Sequence, residues 1–218
     1  MLDERQQVLQ KLQDINFEDR NLPADTQPLN DTALQYLEDR CIPRDYPLLY
    51  KTMPRPGILI PFTHNGQVVG HTTRFLDDRT PKYIQDIQHG YVFGTDLQKN
   101  SWQHAIVVEG VFDALSIGGL AVLHAEINDA QVRLIRSLGR EITVVPDQDE
   151  AGLKLVDRAI ELGWAVSMPS WGADVKDVND SVKKYGRTTT MLSIFEARNT
   201  SRIKIEIARN NLLRKIHG

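Results

Sequence analysis

Apolar and polar positions change their spacing several times along the chain. Leu2, Val8, Leu9, Leu12 and Ile15 recur mostly at helical intervals, which predicts a short amphipathic helix over 2–15. The polar, proline-bearing stretch 16–30 keeps no such period and reads as a linker. A second helix is expected over 31–40, with Leu34 and Leu37 on one side. It should end before Ile42-Pro43, because the residue ahead of a proline is pushed out of the helical region. From Gly57 the grammar becomes that of a hairpin: GILIPF as a buried strand, HNG as the turn, and QVVGHTTRF as the returning strand. The proline-initiated segment TPKYIQD then reads as extended, ahead of a turn region around Gly90 and Gly94.

Beyond residue 104 the pattern alternates strand and helix. AIVV runs into Glu109-Gly110, VFDALSIGG is a helix with a glycine stop, and LAVLH is the next strand. Asn128 is placed to cap the helix DAQVRLIRSL, ITVVP follows as a strand, EAGLKLVDRAIELG as a helix and WAVSM as a fourth strand. Such alternation predicts an α/β fold whose parallel sheet is flanked by helices. The expected organisation is a helical segment and linker over 1–50, a smaller α+β subdomain over 51–104, the α/β domain over 105–189 and a helical, rather basic tail over 190–218.

Composition narrows the classes without choosing among them. At 218 residues and 41% apolar, the chain can bury a core, and no apolar run approaches the roughly 18 residues that would span a bilayer. The charged start MLDERQQVLQ lacks the apolar stretch of a signal peptide, so a cytoplasmic protein is expected. The single cysteine, Cys41, excludes an intrachain disulfide and cannot build a zinc ribbon, so no zinc is expected here. A net charge of −3 argues against a general nucleic-acid coat. It remains compatible with an acidic centre offset by a basic groove.

Three acidic clusters carry the candidate chemistry: VVEGVFDAL with Glu109 and Asp113, VVPDQDEAG with Asp147 and Asp149, and DVKDVND with Asp174, Asp177 and Asp180. Each adjoins a predicted strand end, and neighbouring parallel strands would bring all three to the carboxyl edge of one sheet, where such folds bind ligands. Hard divalent cations take a few carboxylates and leave positions for substrate phosphates, which suits nucleotidyl transfer. Gly110 lets the chain turn sharply off its strand, and Gly152 lets the next helix start close to the sheet, so that backbone can approach phosphate. Taken singly, Asp113 and Asp149 also suit a helix N-terminus, and DVKDVND a solvated loop.

The order EG…D, DxD, KDxxD resembles the Toprim domain, shared by bacterial-type primases, type IA and type II topoisomerases, some nucleases and recombination mediators. The resemblance spans about 105–186. It implies that Glu109 does acid or base work on a 3′ hydroxyl, that Asp147, Asp149 and Asp177 bind metal, and that Asp113 and Asp180 are accessory acidic positions. Upstream, RPGILIPFTHNGQVVGHTTRFLDDRTPKYIQ resembles the segment that precedes Toprim in bacterial-type (DnaG-like) primases. By that resemblance Arg74 and Lys82 contact template or nucleotide phosphates and Tyr83 stacks or packs, while Gly110 and Lys176 join the nucleotide-binding set.

The resemblance implies a phage-like primase core making RNA primers with Mg²⁺ or Mn²⁺, from ribonucleoside triphosphates on single-stranded DNA. A replicative helicase and a separate zinc-bearing template-recognition module are the expected partners. Two other functions are open to the same residues: a Toprim nuclease, since the same centre can cleave phosphodiesters, and a non-catalytic module that holds single-stranded DNA or docks a helicase. One departure stands out. The family often has a glycine-containing turn after the strand that follows Glu109, whereas this chain reads LHAEIND, leaving His124 and Glu126 without a role.

Overall fold

The computed structural model describes residues 15–124 and 126–217, so the helix expected over 2–15 lies almost wholly outside the described residues. The chain forms two compact units, one running to Tyr91 and one beginning at Val92.

The first unit is a five-stranded antiparallel sheet of β1 (Thr26–Gln27), β2 (Leu49–Lys51), β3 (Gly57–His64), β4 (Gln67–Phe75) and β5 (Tyr83–Asp86), in sequence order. The predicted hairpin is β3–β4. Asn65 and Gly66, at φ 52° and 79°, make the left-handed pair that matches the twist of two joined strands. The linker reading of 16–30 needs correction at its end, where Thr26 and Gln27 pair with Lys51 and Tyr50. Asp25 anchors that short edge strand by accepting from Lys51 Nζ at 2.7 Å and from the Met53 N–H at 2.9 Å.

Helix α1 (Asp31–Asp39) is capped by Asn30, whose side chain accepts from the Ala33 N–H at 2.9 Å, and it buries Ala33 and Leu37. It ends in a Schellman motif: the N–H groups of Cys41 and Ile42 donate to the carbonyls of Glu38 and Leu37, and Ile42 and Leu37 are both buried. The motif needs a left-handed residue, and Cys41 supplies it at φ 53° with an exposed, free thiol. Glycine adopts that conformation without a Cβ clash. Cys41→Gly is therefore expected to stabilise the first unit by about 1 kcal/mol, read as a higher urea midpoint for its unfolding.

The second unit is the predicted α/β layer. Its strands are β6 (His104–Val108), β7 (Leu120–Ala121), β8 (Glu141–Val144), β9 (Ala165–Ser167) and β10 (Arg198–Asn199), in the spatial order β10-β9-β8-β6-β7. The pairs β6/β7, β6/β8 and β8/β9 are parallel, and β10 closes the edge antiparallel to β9. Helices α2 (Val111–Ile117), α3 (Asp129–Ser137), α4 (Glu150–Leu162), α5 (Val178–Tyr185), α6 (Arg187–Glu196) and α7 (Arg202–His217) complete it. As expected, Asn128 caps α3; a reciprocal bond from Gln131 to the Asn128 N–H makes it a capping box.

The tail differs from a simple helical extension. Between α6 and α7 the chain returns to the sheet as β10, where Arg198 donates to Thr143 Oγ1 at 3.0 Å and to Glu141 Oε2 at 2.7 Å. Ile194, Ile205 and Leu212 are buried, so both helices pack within this unit.

Candidate metal centre

From β6 the chain runs to β7 on one side, then crosses back to β8 on the other, so its direction reverses between β6 and β8. A crevice at the carboxyl ends of two such strands is where open α/β sheets bind ligands. Glu109 follows β6 directly, and Asp147 lies three residues beyond the end of β8. The Asp147 N–H donates to Glu109 Oε1 at 3.3 Å. The third cluster arrives on the loop after β9, with Asp177 as the N-cap of α5, accepting from the Asp180 N–H at 2.7 Å.

Asp113, in the first turn of α2, points under this group and is 7% exposed. It accepts from the Asn179 N–H at 2.8 Å and lies within hydrogen-bonding reach of Asp177. Burial, then the charges of Asp177 and Asp147, push its pKa well above the ordinary carboxylate range. Burial, then Glu109 and Asp177, raise Asp147 to about 8, with Lys176 opposing them. Burial raises Glu109 as well, partly offset by its bond from the Asp147 N–H.

Asp149 behaves differently. Burial raises it, but Lys176 and the N–H groups of Gly152 and Ala151 outweigh burial and hold it below its ordinary value. It caps α4 through the Gly152 N–H at 2.9 Å and pairs with Lys176 Nζ at 2.8 Å. Its N-cap role is therefore real and coexists with its place in the centre. Asp180 braces the same loop by accepting from the Lys176 N–H at 3.4 Å.

Both glycines work by close approach. A Cβ on Gly152 would stand 2.1 Å from the Asp147 carbonyl oxygen, and one on Gly110 would stand 2.4 Å from Asp113 Oδ2. Any side chain at either position would push the acidic loops apart.

Among the described residues, no three His, Cys, Asp or Glu side chains are already drawn together as a coordination shell. Mg²⁺ does not require one, since it keeps several waters and binds through one or two carboxylates plus substrate phosphate. The donor set fits a hard cation: oxygen ligands only, several of them raised by mutual repulsion, with Lys176 as the cation that offsets them. Asp147, Asp149 and Asp177 would hold the ion, with Glu109 beside them.

Of the residues singled out from sequence, the structure gathers Glu109, Gly110, Asp113, Asp147, Asp149, Lys176, Asp177 and Asp180 around one sheet edge. Arg74, Lys82 and Tyr83 lie in the first unit. Arg74 and Tyr83 sit directly opposite on β4 and β5, with the guanidinium 4.9 Å from the ring centroid. Arg74 Nε also donates to Tyr36 Oη at 3.0 Å, and Arg40 stacks 5.3 Å over the Tyr36 ring. Tyr36 and Arg40 thus extend the group into a cation–aromatic ladder. Their i, i+4 spacing on α1 was the one sequence signal for it. Lys82 reaches the Asp77 carbonyl at 3.3 Å and Asp78 at 3.5 Å.

His124 is exposed, and Glu126 makes a surface pair with Lys154 at 3.3 Å. Where the family often carries glycine, Leu123 adopts φ 65° while its N–H donates to the Glu109 carbonyl at 2.9 Å.

Residues 106–182 match the family model described as Toprim-like. The match covers about a third of the chain. The DNA primase of Clostridium acetobutylicum is 26% identical to this chain over 178 residues, covering 73% of the chain and 30% of the relative. That of Aquifex aeolicus is 25% identical over 206 residues, covering 85% of the chain and 41% of the relative. The chain therefore spans less than half the length of these curated relatives. A DnaG primase catalytic domain solved with single-stranded DNA aligns over 99% of this chain and 92% of its own, at a TM-score of 0.62 and 18% identity. The fold is similar to that of solved DnaG catalytic cores.

Proposed function

We propose that this chain is a primase catalytic core that synthesises RNA primers on single-stranded DNA by metal-dependent nucleotidyl transfer. The observation that carries the reading is the gathering of Glu109, Asp113, Asp147 and Asp177 at the switch point of the sheet, with the pKa raised in Glu109, Asp113 and Asp147. A fold gains no stability from packing carboxylates together, so a cation-dependent role accounts for them best.

Asp147, Asp177 and Asp149 would hold Mg²⁺ or Mn²⁺, which would supply positive charge for the 3′ oxygen and the triphosphate. The chain's own groups do the rest. Glu109, whose raised pKa makes it more basic, is suited to take the proton of the attacking 3′ hydroxyl. Asp113, buried under the group, accepts from the Asn179 N–H and so steadies the start of α5 that carries Asp177. Lys176 limits the repulsion around Asp149. The Arg40–Tyr36–Arg74–Tyr83 ladder offers charge to backbone phosphates and ring faces to unstacked bases, with Lys82 as a further phosphate contact.

The substrates on this reading are ribonucleoside triphosphates and a single-stranded DNA template. A replicative helicase and a separate zinc-bearing recognition module are its partners, in the cytoplasm of a bacterial host, phage-encoded. Among the described residues no helix is long and apolar enough to cross a membrane.

Labelled ribonucleotide incorporation on mixed-sequence single-stranded DNA tests the reading. Metal-dependent primers from the wild type, absent with Asp147→Asn, are expected. Cleavage of the template without primers would transfer the centre to a nuclease. Tight strand binding with neither activity, in the presence of helicase and zinc module, would leave a binding module.

A further inference from the structure

We propose that the last turn of α7 is a positioning clamp for the metal-binding loop, with Lys215 acting on Asp147 and Asp149 through Gln148. The proposal rests on the metal-centre reading above and adds to it a residue far along the chain, outside the Toprim-like segment.

Helix α7 lies antiparallel along α4. Arg209 makes a two-pronged pair with Asp157 at 2.6 and 2.8 Å, and His217 Nε2 lies 3.1 Å from Glu150 Oε1. Glu150 is the first residue of α4 and follows Asp149, so the carboxyl end of α7 arrives at the 147–149 loop.

Gln148 is the contact point. Its Oε1 accepts from Lys215 Nζ at 2.7 Å, its Nε2 donates to the Pro169 carbonyl at 3.1 Å, and its N–H donates to the Lys176 carbonyl at 2.7 Å. Lys215 Nζ also reaches the Trp171 carbonyl at 3.3 Å. One ammonium therefore ties the loop after β8 to the loop after β9, which leads to Asp177.

What makes these bonds matter is the space beside them. A cavity of about 280 Å³, lined by residues that include Pro146, Gln148, Met168, Trp171, Leu212 and Lys215, lies behind the loop. A cavity of this size opens to solvent and is filled by water rather than by side chains, so close packing does not hold Gln148 from that side. Its place depends on its hydrogen bonds. Asp147 and Asp149 flank Gln148 in the chain, so a rotation at Gln148 displaces both carboxylates at once.

The test measures Mn²⁺ binding by the full chain, by electron paramagnetic resonance, with melting temperatures alongside. Lys215→Ala is expected to weaken Mn²⁺ binding about fivefold, the effect of losing one charge-assisted hydrogen bond that orders the site. Its melting temperature should stay within about 2 °C of wild type, as for an exposed polar contact. Lys215→Arg, which keeps the donors and the charge, should restore binding. In a Gln148→Ala background, Lys215→Ala should add nothing, because the coupling runs through that amide. Unchanged Mn²⁺ binding in Lys215→Ala, or an equal loss in both backgrounds, would overturn the clamp and leave the metal centre standing. No Mn²⁺ binding by the wild type would remove the metal centre itself, and the clamp with it.

Discussion

Asp147→Asn is expected to abolish metal-dependent primer synthesis and, in the same molecule, to raise the melting temperature of the metal-free protein. Both effects have one cause. Asp147 sits in a half-buried site among Glu109, Asp177 and Asp149, and burial, then those charges, raise its pKa to about 8. Its charged form is therefore costly in the folded chain unless a cation is present. Asparagine keeps the size and hydrogen-bonding capacity but removes the charge. At pH 8.5 the gain should be about 2 kcal/mol after discounting for water penetration and relaxation, and it should shrink towards pH 5, where the wild-type carboxyl is already protonated. The loss of a ligand for the ion should lower synthesis about 1,000-fold or more. A variant that is inactive but less stable than wild type at pH 8.5 would mean that the acidic group is structural.

The second large effect concerns pH and metal together. Asp147, Glu109 and Asp113 hold their protons more tightly folded than unfolded, since ordinary values are 3.8 for aspartate and 4.5 for glutamate. Their contribution to stability is complete below those ordinary values and is lost as pH rises through the folded ones. Metal-free protein should therefore lose stability as pH rises from 7 to about 8 and level off once Asp147 is ionised in the folded chain. Asp25 and Asp174 have lowered pKa values and act oppositely, but only on acidification below about 4. His71, lowered by burial, costs stability only below its ordinary value of 6.5, so it does not act above pH 7. Mn²⁺ or Mg²⁺ binds the deprotonated centre, so the metal-induced rise in melting temperature should be several degrees larger at pH 9 than at pH 7. Calorimetry in buffers of different ionisation enthalpy should show about one proton released per ion bound near pH 7.5. Equal shifts at both pH values would show that the ion binds away from these carboxylates.

The α/β unit was legible because its helices are long enough to show a period, its parallel strands read as apolar runs, and both are punctuated by caps and glycines, such as Asn128 before α3 and Gly163 after α4. The hairpin was legible from Asn65-Gly66, which selects its own turn. The strands β1, β2 and β10 were not. Two or three residues carry no period, and their ladders are set by partners far away in sequence, as Asp25 with Lys51 and Arg198 with Glu141 show. The ladder at Arg74 was half visible: Tyr83 stood near it in sequence, whereas Tyr36 comes from a helix 38 residues earlier.

For the centre itself, the chain's own residue order determined which carboxylates belong together and that they follow strand ends, because local patterning decides where a strand stops and what comes next. Folding decided what those carboxylates are. Only the packing of α2 beneath α5 buries Asp113 and sets it against Asp177; only the placing of β8 beside β6 brings Asp147 to Glu109; and only the return of α7 along α4 delivers Lys215 to Gln148. Burial, charge proximity and long-range hydrogen bonds depend on distances between residues remote in sequence, and those distances exist only once the sheet has closed.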